Sequence, residues 1–210
     1  MAGSSRRCQG SLVILFRAGL ALSCGSLLLA ADGKGSDIFS VARAAIAAGR
    51  IAKTDALGFT LEKKAFREAP AEGGVLVGFD VGLGKFVKDE CVYALRPIYR
   101  TAQGEVTYQD FGLFHSPTPF GPSKKFARKE VIRTVRLMAQ ADYAVGGITL
   151  RTSVNIRGMS LTFMRINGQT LDSRQSYTSE WVGDNKGGHE ASVGGNAAPI
   201  VGVFGNQNDD

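Results

Sequence analysis

The stretch PIVGVFGNQNDD (Pro199–Asp210) joins an apolar, β-branched run to glycine, asparagine and two carboxylates. A carboxylate fixed in a tight turn can take one O–H on each oxygen, which suits a pair of neighbouring hydroxyls. The same residue types also build ordinary turns. The single tryptophan, Trp181 in SYTSEWVGDNKGG, is a second candidate. Its indole face can stack on a sugar ring; just before Val182-Gly183 it serves equally well as the aromatic anchor of a strand end. Tyr177 carries the same two readings. Residues 183–195 hold five glycines in thirteen positions and read as a flexible surface loop beside these aromatics.

Other chemistry is sparse. The two histidines, His115 and His189, lie far apart and read as surface residues. With so few histidines and cysteines there is no thiolate cluster and no HExxH helix, so no structural zinc is expected. No G-x-S-x-G elbow, P-loop or dinucleotide-binding glycine pattern ahead of a helix occurs, and GLG at 82–84 reads as a turn between strand segments. No cofactor and no catalytic residue is implied. The stretch HSPTPFGPSKKFARKE (His115–Glu130) carries three prolines and four basic residues. It reads as a solvated basic loop, with contact to an anionic polymer as the alternative; nucleic acid is not an expected partner.

The elements that position these residues begin after residue 31. Arg6 and Arg7 precede the apolar run SLVILFRAGLALSCGSLLLA, and Ala30-Ala31 follow, the pattern of a cleaved secretory signal peptide over 1–31. An uncleaved anchor and a lipoprotein acylated at Cys24 are the alternatives, the latter disfavoured by Ala21 in ALSC. Removing 1–31 leaves 22 Lys+Arg against 19 Asp+Glu, formally +3, so much of the basicity belongs to targeting. It also leaves Cys91 as the one cysteine, which excludes an internal disulfide and suits a small buried hydrophobe. No stable membrane insertion is expected after cleavage. The expected location is the periplasm or the medium.

Residues 32–72 are expected to form a helical leader and linker. Ser36 is placed to cap a helix, Asp37 sits at its positive end, and Ile38, Val41, Ala42, Ala45 and Ile46 share one face. Gly49 should end it, with Arg43 and Arg50 near its negative end. The stretch KTDALGFTLEKKAFREAPAEGG reads as connecting chain. From Gly73 the period becomes extended: VLVGFDVGLGKF, CVYALRPIYRT, EVTYQDFG, EVIRTVRLMA, GGITLRTS, MSLTFMRI and PIVGVFG are separated by glycine-rich or polar breaks. Met159, Leu161 and Phe163 alternate with Ser160 and Thr162 as in a half-buried strand. Asn167-Gly168 and Gln103-Gly104 are hairpin signals. Seven such runs over residues 73–210 predict an all-β domain: sandwich, barrel or prism.

GGVLVGFDVG, AVGGITLRTSVNIRGMSLTF, YTSEWVGD and APIVGVFGNQND, in that order over about residues 73–209, resemble the ordered landmarks of jacalin-like lectin domains. The resemblance implies a β-prism of three four-stranded sheets, with a β-sandwich as the alternative. It also implies a G-x-x-x-D sugar loop at Gly205-Asn206-Gln207-Asn208-Asp209. There the Asp209 carboxylate would accept from sugar hydroxyls, with Gly205, Asn206 and Asn208 around it and Trp181 and Tyr177 as neighbours. The family places a further strand, similar to LDAIGvy, after this loop. Because this chain ends at Asp210, closure by another segment, a shorter fold or a truncated product is expected. The chain is also similar, over Pro70–Gly205, to a group of secreted bacterial proteins in which ALRPIYR, YAVGGI and LTFMR recur, a likeness that implies no activity.

The reading that follows is a secreted, non-enzymatic carbohydrate-binding module whose partner is a glycan. Its alternative is an interaction or structural module of the bacterial envelope that keeps the fold without the sugar site and binds an envelope protein.

Overall fold

The computed structural model describes residues 14–18, 37–57, 65–86, 88–112, 114, 131–153 and 155–206. The basic loop with His115, residues 207–210, and the expected signal peptide apart from 14–18 lie outside the described residues.

Among the described residues the chain is all-β and antiparallel apart from one helix. Strand β1 (Ile14–Ala18) precedes helix α1 (Ile38–Ala47), which leads into β2 (Ile51–Lys53) and β3 (Ala65–Glu68). Two thirteen-residue strands follow, β4 (Gly74–Phe86) and β5 (Asp89–Thr101). Then come β6 (Gly104–Thr107), β7 (Phe111–Gly112), β8 (Val131–Met138), β9 (Tyr143–Thr152) and β10 (Ile156–Asn167). The last are β11 (Thr170–Thr178), β12 (Val182–Gly183), β13 (His189–Gly194) and β14 (Ile200–Asn206).

One order of pairing recurs three times. Strands run β6-β5-β4-β8 in one set, β11-β10-β9-β13 in the next and β2-β1-β14-β3 in the third. The first two sets join where Ile156 pairs with Val92, giving ten strands in all with β7 and β12; the third is a separate four-stranded sheet. Gly78 and Gly202 hold like places in β4 and β14. A Cβ on Gly78 would stand 2.1 Å from the Leu137 carbonyl oxygen of β8, and one on Gly202 would stand 2.5 Å from that of Glu68 on β3. A side chain at either position would push the neighbouring strand away, so the pairing requires glycine there.

Inward faces of the sheets meet in one core that includes Tyr99, Phe79, Phe163, Leu76, Leu83 and Leu150. Full burial of such aliphatic and aromatic side chains contributes about 1.5–3 kcal/mol each, which makes this core the main source of stability. Helix α1 is docked on it rather than tethered. Ile38 is 2% exposed and belongs to the main core, while Ala42 and Ala45 pack with Val201 of β14. The mostly alanine stripe lets the helix lie close to the sheet.

Several expectations are corrected. The helix cap is Asp37, not Ser36: the Asp37 carboxylate accepts from the Ser40 N–H at 2.8 Å, satisfying a donor that has no partner within the helix. Arg43 donates its Nε to the Glu72 carbonyl at 2.8 Å instead of serving the helix C-terminus, where Gly49 does end the helix at φ 63°. The stretch read as connecting chain supplies the last residue of β2 and all of β3, which pairs with the edge of β14 and stacks Phe66 on Phe111 at a centroid separation of 3.8 Å. GLG at 82–84 is not a turn. It lies inside β4, where the register shifts at Gly82/Leu83 against β5 and at Leu83/Gly84 against β8, so the glycines bend a continuous strand.

Both hairpin signals fold as read: Thr101 pairs with Gly104 and Asn167 with Thr170. Ile14–Ala18, inside the segment read as a signal peptide, pairs with β14 as β5 pairs with β4 and β10 with β9.

Candidate functional site

Trp181 immediately precedes β12, which pairs with β10 at Gly158↔Gly183 and Met159↔Val182. Its half-buried indole lies over Gly158, the one place on that strand face with no side chain. Across the ladder, Gly158 pairs with Arg151 and Arg151 with Glu190, and direct partners share a face, so these groups form a row with the indole. Arg151 donates Nη2 to Glu190 Oε2 at 2.6 Å. Trp181 Nε1 and Arg151 Nε are buried with no hydrogen-bond partner among the described residues. Each is a buried donor left without an acceptor, which costs stability.

Residues 183–195 are not a flexible loop: His189–Gly194 forms β13, paired with β9 over six residues, and Arg157 anchors the turn that precedes it. It donates to Asp89 Oδ2 at 2.7 Å, to Asp184 Oδ2 at 2.8 Å and to the Lys186 carbonyl at 2.9 Å. The Lys186 N–H at 2.9 Å, with help from Arg157, holds the Asp184 carboxyl below the usual range. Nearby, Arg133 grips Glu90 through two hydrogen bonds of 2.8 and 2.6 Å and lowers its pKa in the same way. Each of these acids is a satisfied ion-pair partner, so the end of the molecule around Trp181 is organised for electrostatic positioning.

Tyr177, on β11, stands elsewhere. Its ring packs on Phe163 and Tyr143 at centroid separations of 5.0 and 5.2 Å, and its hydroxyl accepts from the Gln140 N–H at 2.8 Å. It braces the turn between β8 and β9. Gly205 and Asn206 are the last two residues of β14 and pair with Phe66 and Ala65 of β3. Asn208 and Asp209 lie outside the described residues. No described hydrogen bond or ring contact joins Trp181, Tyr177 and the end of β14.

The chain enters β14 beside the start of β9, since the Ala197 carbonyl accepts from Leu171 and the Asp142 carbonyl from Ile166. Gly205-Asn206 finishes β14 and Trp181 stands beside the last residues of β9, while Tyr177 stays nearer its start.

Among other titratable groups, Cys91 is buried and free, with its thiol pushed up by burial, and His189 is exposed at the start of β13. Glu68 carries no sequence signal. It is 8% exposed on β3, and burial raises its carboxyl to about 7 against the opposing pull of a Gln109 backbone hydrogen bond. Glu68 Oε1 and the fully buried Tyr99 hydroxyl have no hydrogen-bond partner among the described residues. Tyr108, edge-on to Tyr99 at 5.5 Å, donates to Glu72 at 2.8 Å. The buried position at the end of AFRE follows from β3 lying against β14, which only the assembled sheet reveals.

No family model matches this chain, and no curated protein does. Among solved structures it is similar to the insecticidal delta-endotoxin Cry8Ea1 from Bacillus thuringiensis, at 12% identity and a TM-score of 0.34. That match covers 72% of this chain and 28% of the toxin chain.

Proposed function

We propose that this chain is a secreted or periplasmic carbohydrate-binding module on a jacalin-like prism, with its sugar loop at 205–209; its third four-stranded sheet needs residues 14–18 as β1, so this reading takes the N-terminal segment as retained and not cleaved. The threefold recurrence of one strand order supports the prism over the sandwich. The observation that carries the function is the course of β14. Its backbone is held by β3 up to Asn206, which fixes Gly205 and Asn206 at the start of the G-x-x-x-D stretch. In this reading Asp209 accepts from two sugar hydroxyls and backbone groups at Gly205 and Asn206 complete the site. The module binds and does not turn over its ligand.

Because Trp181 is the single tryptophan, its fluorescence is a built-in reporter. A panel of neutral monosaccharides titrated into the purified protein is expected to give one saturable response, abolished in Asp209→Ala with the melting temperature unchanged. A folded protein that answers to no sugar returns the chain to the alternative reading, an interaction module of the envelope.

A further inference from the structure

Toward the opposite end of β14 the described residues line an open cleft of about 610 Å³. Five segments build it: the start of α1, the end of β5, β6, the β8–β9 turn and the β10–β11 hairpin. Its floor is apolar, with Ile38 and Ala139 buried and Phe39 and Ile166 half-buried. Its walls carry two arginines and three acids, a formal excess of one negative charge: Arg100 and Arg165 against Asp37, Glu105 and Asp142.

These charges differ in how far they are already committed. Arg100 donates Nε and Nη2 to Glu105 at 3.3 and 2.9 Å and Nη1 to the Tyr143 carbonyl at 3.1 Å, so this pair is spent on holding β5, β6 and β9 together. Asp37 is occupied on one oxygen by Ser40. Arg165 gives one N–H to Gln175 at 2.8 Å. The Asp142 carboxylate takes no hydrogen bond from any described residue, while its backbone is fixed: φ is 61°, and its carbonyl accepts from Ile166 at 2.7 Å. Carboxylate oxygens without donors therefore outnumber uncommitted cations around a partly apolar floor. A partner suited to it brings donors, a positive charge and one apolar face.

We infer that this cleft is a second binding site, for a small hydroxylated ring bearing an ammonium group, an amino sugar by class. The Asp142 carboxylate takes the ammonium, Arg165 donates to a hydroxyl oxygen, and Phe39 with Ile166 covers the C–H face of the ring. The site is separate from the loop at 205–209 and does not depend on that loop binding sugar.

The test is an amide-resolved NMR titration of the whole chain with D-glucosamine, D-glucose and D-glucuronate at low salt. Glucosamine is expected to shift the amides of Asp142, Ile166 and Gly168 and to bind about fivefold more tightly than glucose, as suits one exposed ion pair. Glucuronate should be the weakest, and added salt should narrow the gap. Asp142→Asn keeps a residue that accepts the left-handed backbone and removes the charge; it should erase the preference for glucosamine and leave residual glucose binding. Arg165→Gln, at an exposed position, should weaken glucuronate most and glucose less, because it removes a hydroxyl donor and the positive charge together. Asp209→Ala should leave these shifts intact. Glucuronate binding as tightly as glucosamine, or no shift at the three amides with any probe, would overturn the proposal whatever the loop at 205–209 does.

Discussion

The indole Nε1 of Trp181 lies 2.5 Å from the point where a Cβ on Gly158 would stand. The Val182 and Asp184 carbonyl oxygens would be 2.7 and 2.8 Å from that same point, so backbone as well as side chain fills the space. Gly158→Ala therefore has to displace the indole and the β12 edge together. It should destabilise the chain by about 1–3 kcal/mol, the cost of overpacking a filled site. Thermal melts and the emission maximum of the single tryptophan check this: emission should move to longer wavelength as the ring is pushed outward. An unchanged spectrum would mean that the ring does not sit on Gly158.

Glu68 gives a pH dependence with a definite sign. Its folded pKa of about 7 lies above the ordinary value of 4.5, so the folded state binds the proton more tightly than the unfolded chain does. The stability linked to this group is fully present below about pH 4.5 and is lost as the pH rises through about 7. The span corresponds to a change on the order of 3 kcal/mol. Glu68→Gln, neutral at every pH, should remove that slope and raise the melting temperature at pH 8 relative to the parent. Parallel stability curves for the two proteins between pH 4.5 and pH 8 would refute the assignment.

Asp80 lies under a bridge of two arginines. On β4 and 4% exposed, it accepts from Arg136 of β8 at 2.7 and 2.9 Å, and Arg96 of β5 approaches it at 3.7 Å. Arg96 also donates to Asp110 and stacks 4.9 Å over Phe114. Asp80→Ala leaves two cations facing each other, although Arg136 can turn to water. The expected loss is about 2–3 kcal/mol, below the full cost of breaking a wholly buried pair. Urea unfolding should show a lower midpoint with an unchanged slope.

Ile38 ties α1 to the core. At 2% exposed within a helix of ten residues, it anchors an element too short to be stable alone. Ile38→Ala should cost about 2–5 kcal/mol. Hydrogen exchange should speed up over residues 41–50 and along β14, where Val201 packs on Ala42 and Ala45, with much less effect on β9 and β10. Uniform acceleration across all strands would mean that the helix is not a separable part of the fold.

Part of this was legible in the sequence because it is local. Asn167-Gly168 and Gln103-Gly104 make hairpins in the residues that name them, and Met159, Leu161 and Phe163 are buried as their alternation requires. Ser160 is buried as well, at 7% exposed, although it lies on the face expected to meet solvent. The strand TLDSRQSYT was missed for the opposite reason. Six of its nine residues are exposed and polar, and only Leu171 and Tyr177 turn to the core, too far apart to set an apolar period. The like placing of Gly78 and Gly202, each after a valine in an apolar run, is a signal in the sequence that could have revealed the repeated strand order.

The sequence by itself determined the β class, six of the seven extended runs as strands (EVTYQDFG divides into β6 and β7), the helix with its alanine stripe, and the residue types at the end of PIVGVFGNQNDD. These follow from side-chain period and turn chemistry, which act over a few residues. Only the tertiary structure decided that β14 runs between β1 and β3, that Trp181 rests on Gly158 beside Arg151, that Glu68 is buried against Tyr99, and that Asp37, Arg100, Asp142 and Arg165 surround one cleft. Strand pairing depends on which distant faces can be buried together. The charge state and ligand chemistry of a side chain depend on neighbours that arrive from elsewhere in the chain.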